Sequence, residues 1–331
     1  MIELYLKEKD STDNGVGRER IAFVGDVHFD TMTPASRIDD YMETCCKKIE
    51  AIGDRCRDRH VKYLFFTGDI FHRIQCSHEC VNRAGQVLAG LKQKGVRAFS
   101  ICGNHDLPRD NLNYLVKSPI ETLFSFGVLE HIDLENPVSI NGNLVKITAC
   151  DFTQTPPPAD KDYAINILLA HMFYEMGEIM GGPEQNISKE TLMSLGYDVA
   201  FLGHDHEYHA PEVCGETMVI RPGSVLRGTS HNYNFTRRPC FVIFDIFEKT
   251  KDYFFKEEII PHRLYTDVAA RKILEKKEPL DRTAIQKLAE RLARVEDEAA
   301  GEDTILQHIK DDPAIPANKK ALLLDYISKF S

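Results

Sequence analysis

The sequence predicts an α/β layered fold with antiparallel additions, followed by a helical C-terminal segment. Eight short apolar runs rich in Val, Ile and Phe recur between residues 20 and 246. Between the early runs lie polar, amphipathic stretches at 36–59 and 78–94, long enough to be crossover helices. Beyond about residue 265 the strand pattern stops and helical spacing takes over. Alternating strand and helix units early in a chain imply layers of sheet and helix, while closely spaced later strands imply added hairpins.

In chain order the predicted strands are RIAFVG (20–25), VKYLFFTG (61–68), VRAFSICG (96–103), LVKITAC (144–150), AINILLA (164–170), DVAFLG (198–203), TMVIRPG (217–223) and CFVIFDI (240–246). Continuous apolar runs that end in Gly or a polar residue read as buried strands feeding turns. TQTPPPAD (153–160) reads as a stiff loop. A boundary near residue 265 divides a body, 1–265, from a segment, 266–331. In that segment Ile285, Leu288, Leu292 and Val295 recur at helical spacing behind Asp281 as N-cap, and DDPAIP separates them from a second short helix ending near Phe330.

The length of 331 residues fits two domains or one domain with an appendage, and 43% hydrophobic with 28% charged residues fits a globular chain. MIELYLKEKD has no apolar core of the signal-peptide kind, and INILLAHMFY is too short to span a bilayer. A cytosolic protein without a membrane segment is therefore expected. Nine cysteines without a CxxC pair read as reduced thiols, and CSHEC (76–80) lacks a nearby fourth ligand for zinc. The formal charge of −10 counts against wrapping nucleic acid by charge alone. It leaves room for an enzyme whose bound cations dominate its site.

FLGHDHEYHA (201–210) places three of the chain's 13 histidines within six residues. Following each strand to its C-terminal end explains the concentration. The first runs into Asp26 and His28, the second into Asp69, His72 and Arg73, and the third into Asn104, His105 and Asp106. AINILLA runs into His171, and DVAFLG runs into His204 and His206. A lone His after a strand is ordinary; five strands delivering ligand-type residues at one end are not. That carboxyl edge is where open α/β sheets build their sites. Mixed carboxylate, imidazole and amide oxygen suits manganese, iron or zinc. Asp26, His28, Asp69, Asn104, His171, His204 and His206 are too many donors for one tetrahedral ion and enough for two. Paired ions clamp the attacking and leaving oxygens of a displacement at phosphorus.

DVH, GDIFHR, GNHD, a lone His after a strand and GHDH, in that order, resemble the five motifs of the calcineurin-like metallophosphoesterase superfamily, over roughly residues 20 to 230. The resemblance implies a four-layer α+β fold, a β-sandwich with helices outside. It implies one ion on Asp26, His28, Asp69 and His206, and a second on Asp69, Asn104, His171 and His204. It gives His105 the role of contacting the phosphate and protonating the leaving oxygen. Phe71-His72-Arg73 and Asp106 depart from the GDxxDRG and GNHE of protein phosphatases in this superfamily. With RPGS (221–224) they look instead like the nuclease subunit of the SbcCD class. That branch implies two divalent ions, manganese first, with iron, zinc or magnesium as alternatives. It also implies DNA as substrate, a homodimer, and a coiled-coil SMC-like ATPase partner docked on C-terminal helices; His72 would help position the phosphate. The tail carries no quotable motif of such a docking element.

Arg73, Arg109 and Arg227 are candidate contacts to a phosphate backbone, and the loop RGTSHNYNFTRRP (227–239) is a candidate groove border. Asp205 and Asp106 read as supporting groups, and His209 and His231 as non-ligands. Two functional alternatives stay open beside the nuclease: a phosphodiesterase or phosphatase acting on a small nucleotide or phosphoprotein, and a non-catalytic scaffold. The complete donor set speaks against the scaffold.

Overall fold

Two six-stranded sheets lie face to face in the computed structural model, which describes residues 18–260 apart from 36, 38, 176–185, 230–232 and 248–251. The first sheet contains β1 (Arg18–Val24), β2 (Tyr63–Phe66), β3 (Arg97–Ser100), β4 (Glu130–His131), β13 (Cys240–Phe247) and β14 (Asp252–Ile259). Its order is β14-β13-β1-β2-β3-β4, with β1 to β4 parallel and a β13–β14 hairpin set antiparallel against β1. The second contains β5 (Val138–Ile140), β6 (Val145–Cys150), β7 (Ile165–His171), β10 (Val199–Gly203), β11 (His209–Cys214) and β12 (Thr217–Arg221), in the order β11-β12-β10-β7-β6-β5. Strands β6, β7, β10 and β12 are parallel, with antiparallel β5 and β11 at the two edges. A small pair, β8 (Phe173–Tyr174) and β9 (Asn186–Ile187), stands apart.

The strand period of two sorts the side chains into layers. Ile21, Phe23, Phe65, Phe99, Ile167, Leu169, Phe201 and Phe244 fill the space between the sheets. Their neighbours Ala22, Val24, Leu64 and Phe66 face the other way, under α1 (Tyr41–Asp58), α2 (His78–Gln93) and α3 (Pro119–Ser125). Leu168, Ala170, Ala200 and Leu202 face α4 (Lys189–Leu195) on the far side. Strands covered on both faces must be apolar at every position, which is why they appear as continuous runs rather than alternations. The fold is thus helix, sheet, sheet, helix, a four-layer sandwich.

Helix α1 begins later than the sequence pattern implies. The Asp40 side chain accepts from the Glu43 amide at 2.9 Å, an N-cap that satisfies a first-turn donor. Ser77 caps α2 in the same way, accepting from the Cys80 amide at 3.1 Å. The eight predicted strands are all present. Strands β4, β5, β8, β9, β11 and β14 are additions that the sequence pattern leaves in loops. No helix among the described residues is long and apolar enough to cross a membrane. The helices expected over 266–331 lie outside the described residues.

Candidate metal centre

Five strand ends, those of β1, β2 and β3 from one sheet and β7 and β10 from the other, converge on one buried polar centre. Close approach of the loops requires small residues. A Cβ on Gly103 would collide with Asp69 Oδ1, and one on Gly203 would lie 2.6 Å from Thr67 Oγ1. Three residues of the centre hold a left-handed backbone: His28 at φ 56°, Asp69 at φ 49° and His204 at φ 81°. Such conformations cost energy for residues with a Cβ and persist where surrounding structure over-determines them. Here they turn each side chain inward at the end of its strand.

Asp26, His28, Asp69 and His206 offer donor atoms within 4.8 Å of one another, and Asp69, His171 and His204 do the same. Asp69 belongs to both groups. Its Oδ2 lies 3.5 Å from His28 Nε2 and 3.5 Å from His171 Nε2. His171 Nε2 is also 3.1 Å from Asn104 Oδ1, which brings the amide oxygen to the second group. All seven sequence-predicted donors are therefore gathered, in two clusters sharing one carboxylate.

The surroundings fix these donors. His171 Nδ1 donates to the Thr67 carbonyl at 2.7 Å, which leaves Nε2 facing the centre. Asp26 Oδ1 accepts from Thr67 Oγ1 at 2.9 Å, and its Oδ2 accepts from the His204 amide at 3.1 Å. Asp69 Oδ1 accepts from the His105 amide at 2.9 Å. Asp106, fully buried, accepts from the amides of Ile70, Phe71 and Gly103 at 3.1–3.2 Å and so ties the GDIF loop to the GNHD loop. Thr67 is the residue that sequence reading missed; its only signal is its place before Gly68-Asp69 at a strand end. Phe152 and Phe173, with ring centroids 5.4 Å and 4.0 Å from that of His204, wall one side.

The electrostatics ask for positive charge. Burial, with Asp69 nearby, raises the Asp26 carboxyl to about 7 against the lowering pull of His171. Burial also opposes ionisation of Asp69, yet His171, His28 and His105 hold it well below the usual carboxylate range. Burial disfavours charge on His171 too, but Asp69 and Asp26 lift it to about 9. Burial lowers His204 to about 3, His206 to about 4 and His28 well below its ordinary value. Neutral imidazoles are the ligand form.

Two divalent ions fit this donor set. Asp69 Oδ2 is buried with no hydrogen-bond partner, and His28 Nε2 faces His206 Nε2 at 2.8 Å, where at most one proton can sit between them. A shared ion satisfies both arrangements, each costly when left unpaired in a buried site.

Of the remaining predicted residues, His105 and His72 flank the centre. The His105 and His72 rings stack at 5.2 Å, and His105 Nδ1 donates to the His72 carbonyl at 2.7 Å. Both rings lie about 5 Å from that of His28, at 4.9 Å and 5.4 Å. Arg73 Nε pairs with Asp30 at 3.0 Å, Arg227 donates to the Arg237 carbonyl at 2.5 Å, and Arg109 lies over the Tyr114 ring at 5.8 Å. His209 pairs with Asp205 at 2.7 Å, so Asp205 turns away from the two clusters. His231 lies outside the described residues.

The fold and the centre together define a metal-dependent phosphoesterase. The Calcineurin-like phosphoesterase family model matches residues 19–208, more than half of the chain, and the chain belongs to that family. The DNA double-strand break repair protein Mre11 of Methanopyrus kandleri is 31% identical over 115 residues, 34% of this chain and 24% of that protein. The match thus spans about a quarter of that relative's length. A dimetal phosphatase from Danio rerio shares the fold, with a TM-score of 0.50 and 12% identity over 73% of this chain and 96% of that one. A protein from Thermus thermophilus gives a TM-score of 0.45 at 8% identity, covering 73% of this chain and 99% of that one.

Proposed function

We propose that this phosphoester hydrolase is a DNA nuclease acting in break repair or recombination, with two manganese ions, as a homodimer working beside a coiled-coil SMC-like ATPase. The observation that carries the catalytic part is the unpartnered Asp69 Oδ2, equidistant from His28 and His171. The polymer substrate is supported by the GDIFHR and GNHD forms and by the partial likeness to Mre11, itself a DNA double-strand break repair protein. Iron, zinc and magnesium are the other ions this oxygen and nitrogen donor set accepts.

When bound, the ion pair stabilises negative charge on the oxygens of a phosphodiester in displacement. The chain's own residues do the rest. Asp26, His28, Asp69 and His206 hold one position, and Asp69, Asn104, His171 and His204 the other. His105 keeps its Nδ1 proton on the His72 carbonyl, so Nε2 is the atom left to hand a proton to the leaving oxygen. His72, stacked on it, holds that ring plane and flanks the phosphate. Arg73, Arg109 and Arg227 are the residues assigned to the phosphate backbone of the strand.

A small-nucleotide phosphodiesterase is the second reading, favoured by the formal charge of −10. End-labelled duplex DNA and a chromogenic phosphodiester, each with manganese and each with an Asp69→Asn control, separate the two. Degradation of DNA that vanishes in Asp69→Asn supports the nuclease. Turnover of the small diester with intact DNA overturns it in favour of the second reading. Removal of 266–331 is expected to abolish ATPase binding and spare intrinsic hydrolysis.

A further inference from the structure

We propose that Cys102, His131 and Asp151 form a third cation site, built for one zinc-type divalent ion and distinct from the carboxylate–imidazole centre. Their donor atoms lie within 4.8 Å of one another. They come from three segments that the fold holds together. His131 pairs with Ser100 in β4, Cys102 lies two residues beyond β3, and Asp151 directly follows β6. The Cys102 amide donates to Asp151 Oδ1 at 2.6 Å, and the Phe152 amide donates to the Cys102 carbonyl at 2.8 Å.

The spacing is that of a tetrahedral ion. Zinc bonds of about 2.3 Å to sulfur and about 2.0–2.1 Å to nitrogen and oxygen put S···N near ~3.6 Å and N···O near ~3.3 Å. Cys102 Sγ lies 3.7 Å from His131 Nε2, and His131 Nε2 lies 3.1 Å from Asp151 Oδ1.

Two independent features point to a cation rather than to a plain His–Asp hydrogen bond. Asp151 is 1% exposed, and its Oδ2 is buried with no hydrogen-bond partner. The Cys102 amide and His131 both sit at Oδ1 and leave Oδ2 bare, whereas an ion held by both carboxylate oxygens would satisfy Oδ2 as well. On the opposite edge of the ring, Asp133 Oδ2 stands 3.7 Å from His131 Nδ1. A carboxylate behind the second nitrogen is the usual companion of a metal-bound histidine. Phe124, stacked on the imidazole at 4.7 Å, holds the ring plane. Cys102 and Asp151 are buried, while the His131 side chain is 21% exposed and forms the way in. Three protein donors leave a fourth position for water on that side. The thiolate selects zinc-type ions over manganese, so this site and the main centre would fill with different metals. The inference does not depend on the nuclease reading.

Cobalt(II) titration of the chelator-stripped full chain tests it, because a thiolate ligand gives a near-ultraviolet charge-transfer band that oxygen and nitrogen ligands do not. The main centre has no sulfur donor, so one equivalent of the band is expected to develop in the wild-type chain and in Asp69→Asn. It should vanish in Cys102→Ser and persist in Cys76→Ser. Should Cys102→Ser fail to fold, Asp151→Asn keeps an acceptor for the Cys102 amide and is expected to weaken cobalt binding at this site at least about tenfold. Absence of the band from the wild-type chain, its survival in Cys102→Ser, or unchanged affinity in Asp151→Asn each overturns the proposal.

Discussion

At the scale of the residue, Asp69 and His105 sit side by side in the fold yet have separable jobs. Asp69 serves both donor groups, so Asp69→Asn is expected to cut hydrolysis to background while circular dichroism stays that of the wild-type chain. The hydrogen bond from His105 to Asp69 is made by its backbone amide, which the Ala variant keeps. His105→Ala should keep its metal content by elemental analysis and lose about 10²–10⁴-fold in kcat. Loss of metal in that variant would move His105 into the ligand set. A third residue gives a pH test away from the main centre. Burial disfavours charge on His131, but Asp151, with Asp133 behind it, raises its folded pKa above the ordinary 6.5. A raised histidine stabilises fully below the unfolded value and loses that contribution as pH rises through the folded one. In chelator-treated protein the stability advantage of wild type over His131→Gln should therefore be largest below about pH 6.5 and shrink above it. An advantage that grows with pH would contradict the assigned pairing.

At the scale of the element, the strand ends are held in place by a few buried contacts. Asp106→Ala leaves three buried amides without an acceptor, at about 1–3 kcal/mol each. A loss of about 3 kcal/mol or more follows, read as a Tm lower by about 6–12 °C. Between the sheets, Phe23 stacks on Phe201 at 3.8 Å and touches Phe65 and Phe244. Phe23→Ala should cost about 3–5 kcal/mol in urea unfolding, and a cost below about 1 kcal/mol would mean that the sheets are not packed through it.

The same scale explains what the sequence could and could not reveal. Strands covered on both faces, such as AINILLA and DVAFLG, are apolar throughout and stand out from any loop. The ligand-type residues follow them directly, so the seven candidate donors that the structure gathers could be picked out from order and residue type. The edge strand β14, DYFFKEEI, mixes four charged residues with its apolar ones and merges with loop composition. Strand β4 has two residues, too few for any period. Thr67 was invisible because its work is done by one hydroxyl and one carbonyl, and neither leaves a motif. The pairing of Asp205 with His209 depends on local backbone path, which spacing alone does not decide. The Cys102, His131 and Asp151 cluster joins positions 29 and 20 residues apart, brought together by the β3–β4 register and by the second sheet facing the first.

At the scale of the whole molecule, a chain of formal charge −10 gathers its candidate donors in one buried centre that calls for cations. The buried carboxylates of Asp26 and Asp69 repel each other and are costly without compensating charge. Metal loading should therefore stabilise the body of the protein, with a Tm that rises with manganese concentration as binding to the native state alone requires. Manganese in large excess that left the Tm unchanged would argue that the donors are not preorganised for it. The central claim is that one carboxylate serves two ions. Elemental analysis of the full chain loaded with manganese and freed of excess tests it directly, on wild type and Asp69→Asn together. Two manganese ions per wild-type chain, and at most one in a folded Asp69→Asn chain, are the predicted result. Two ions retained in Asp69→Asn would contradict the shared-carboxylate centre.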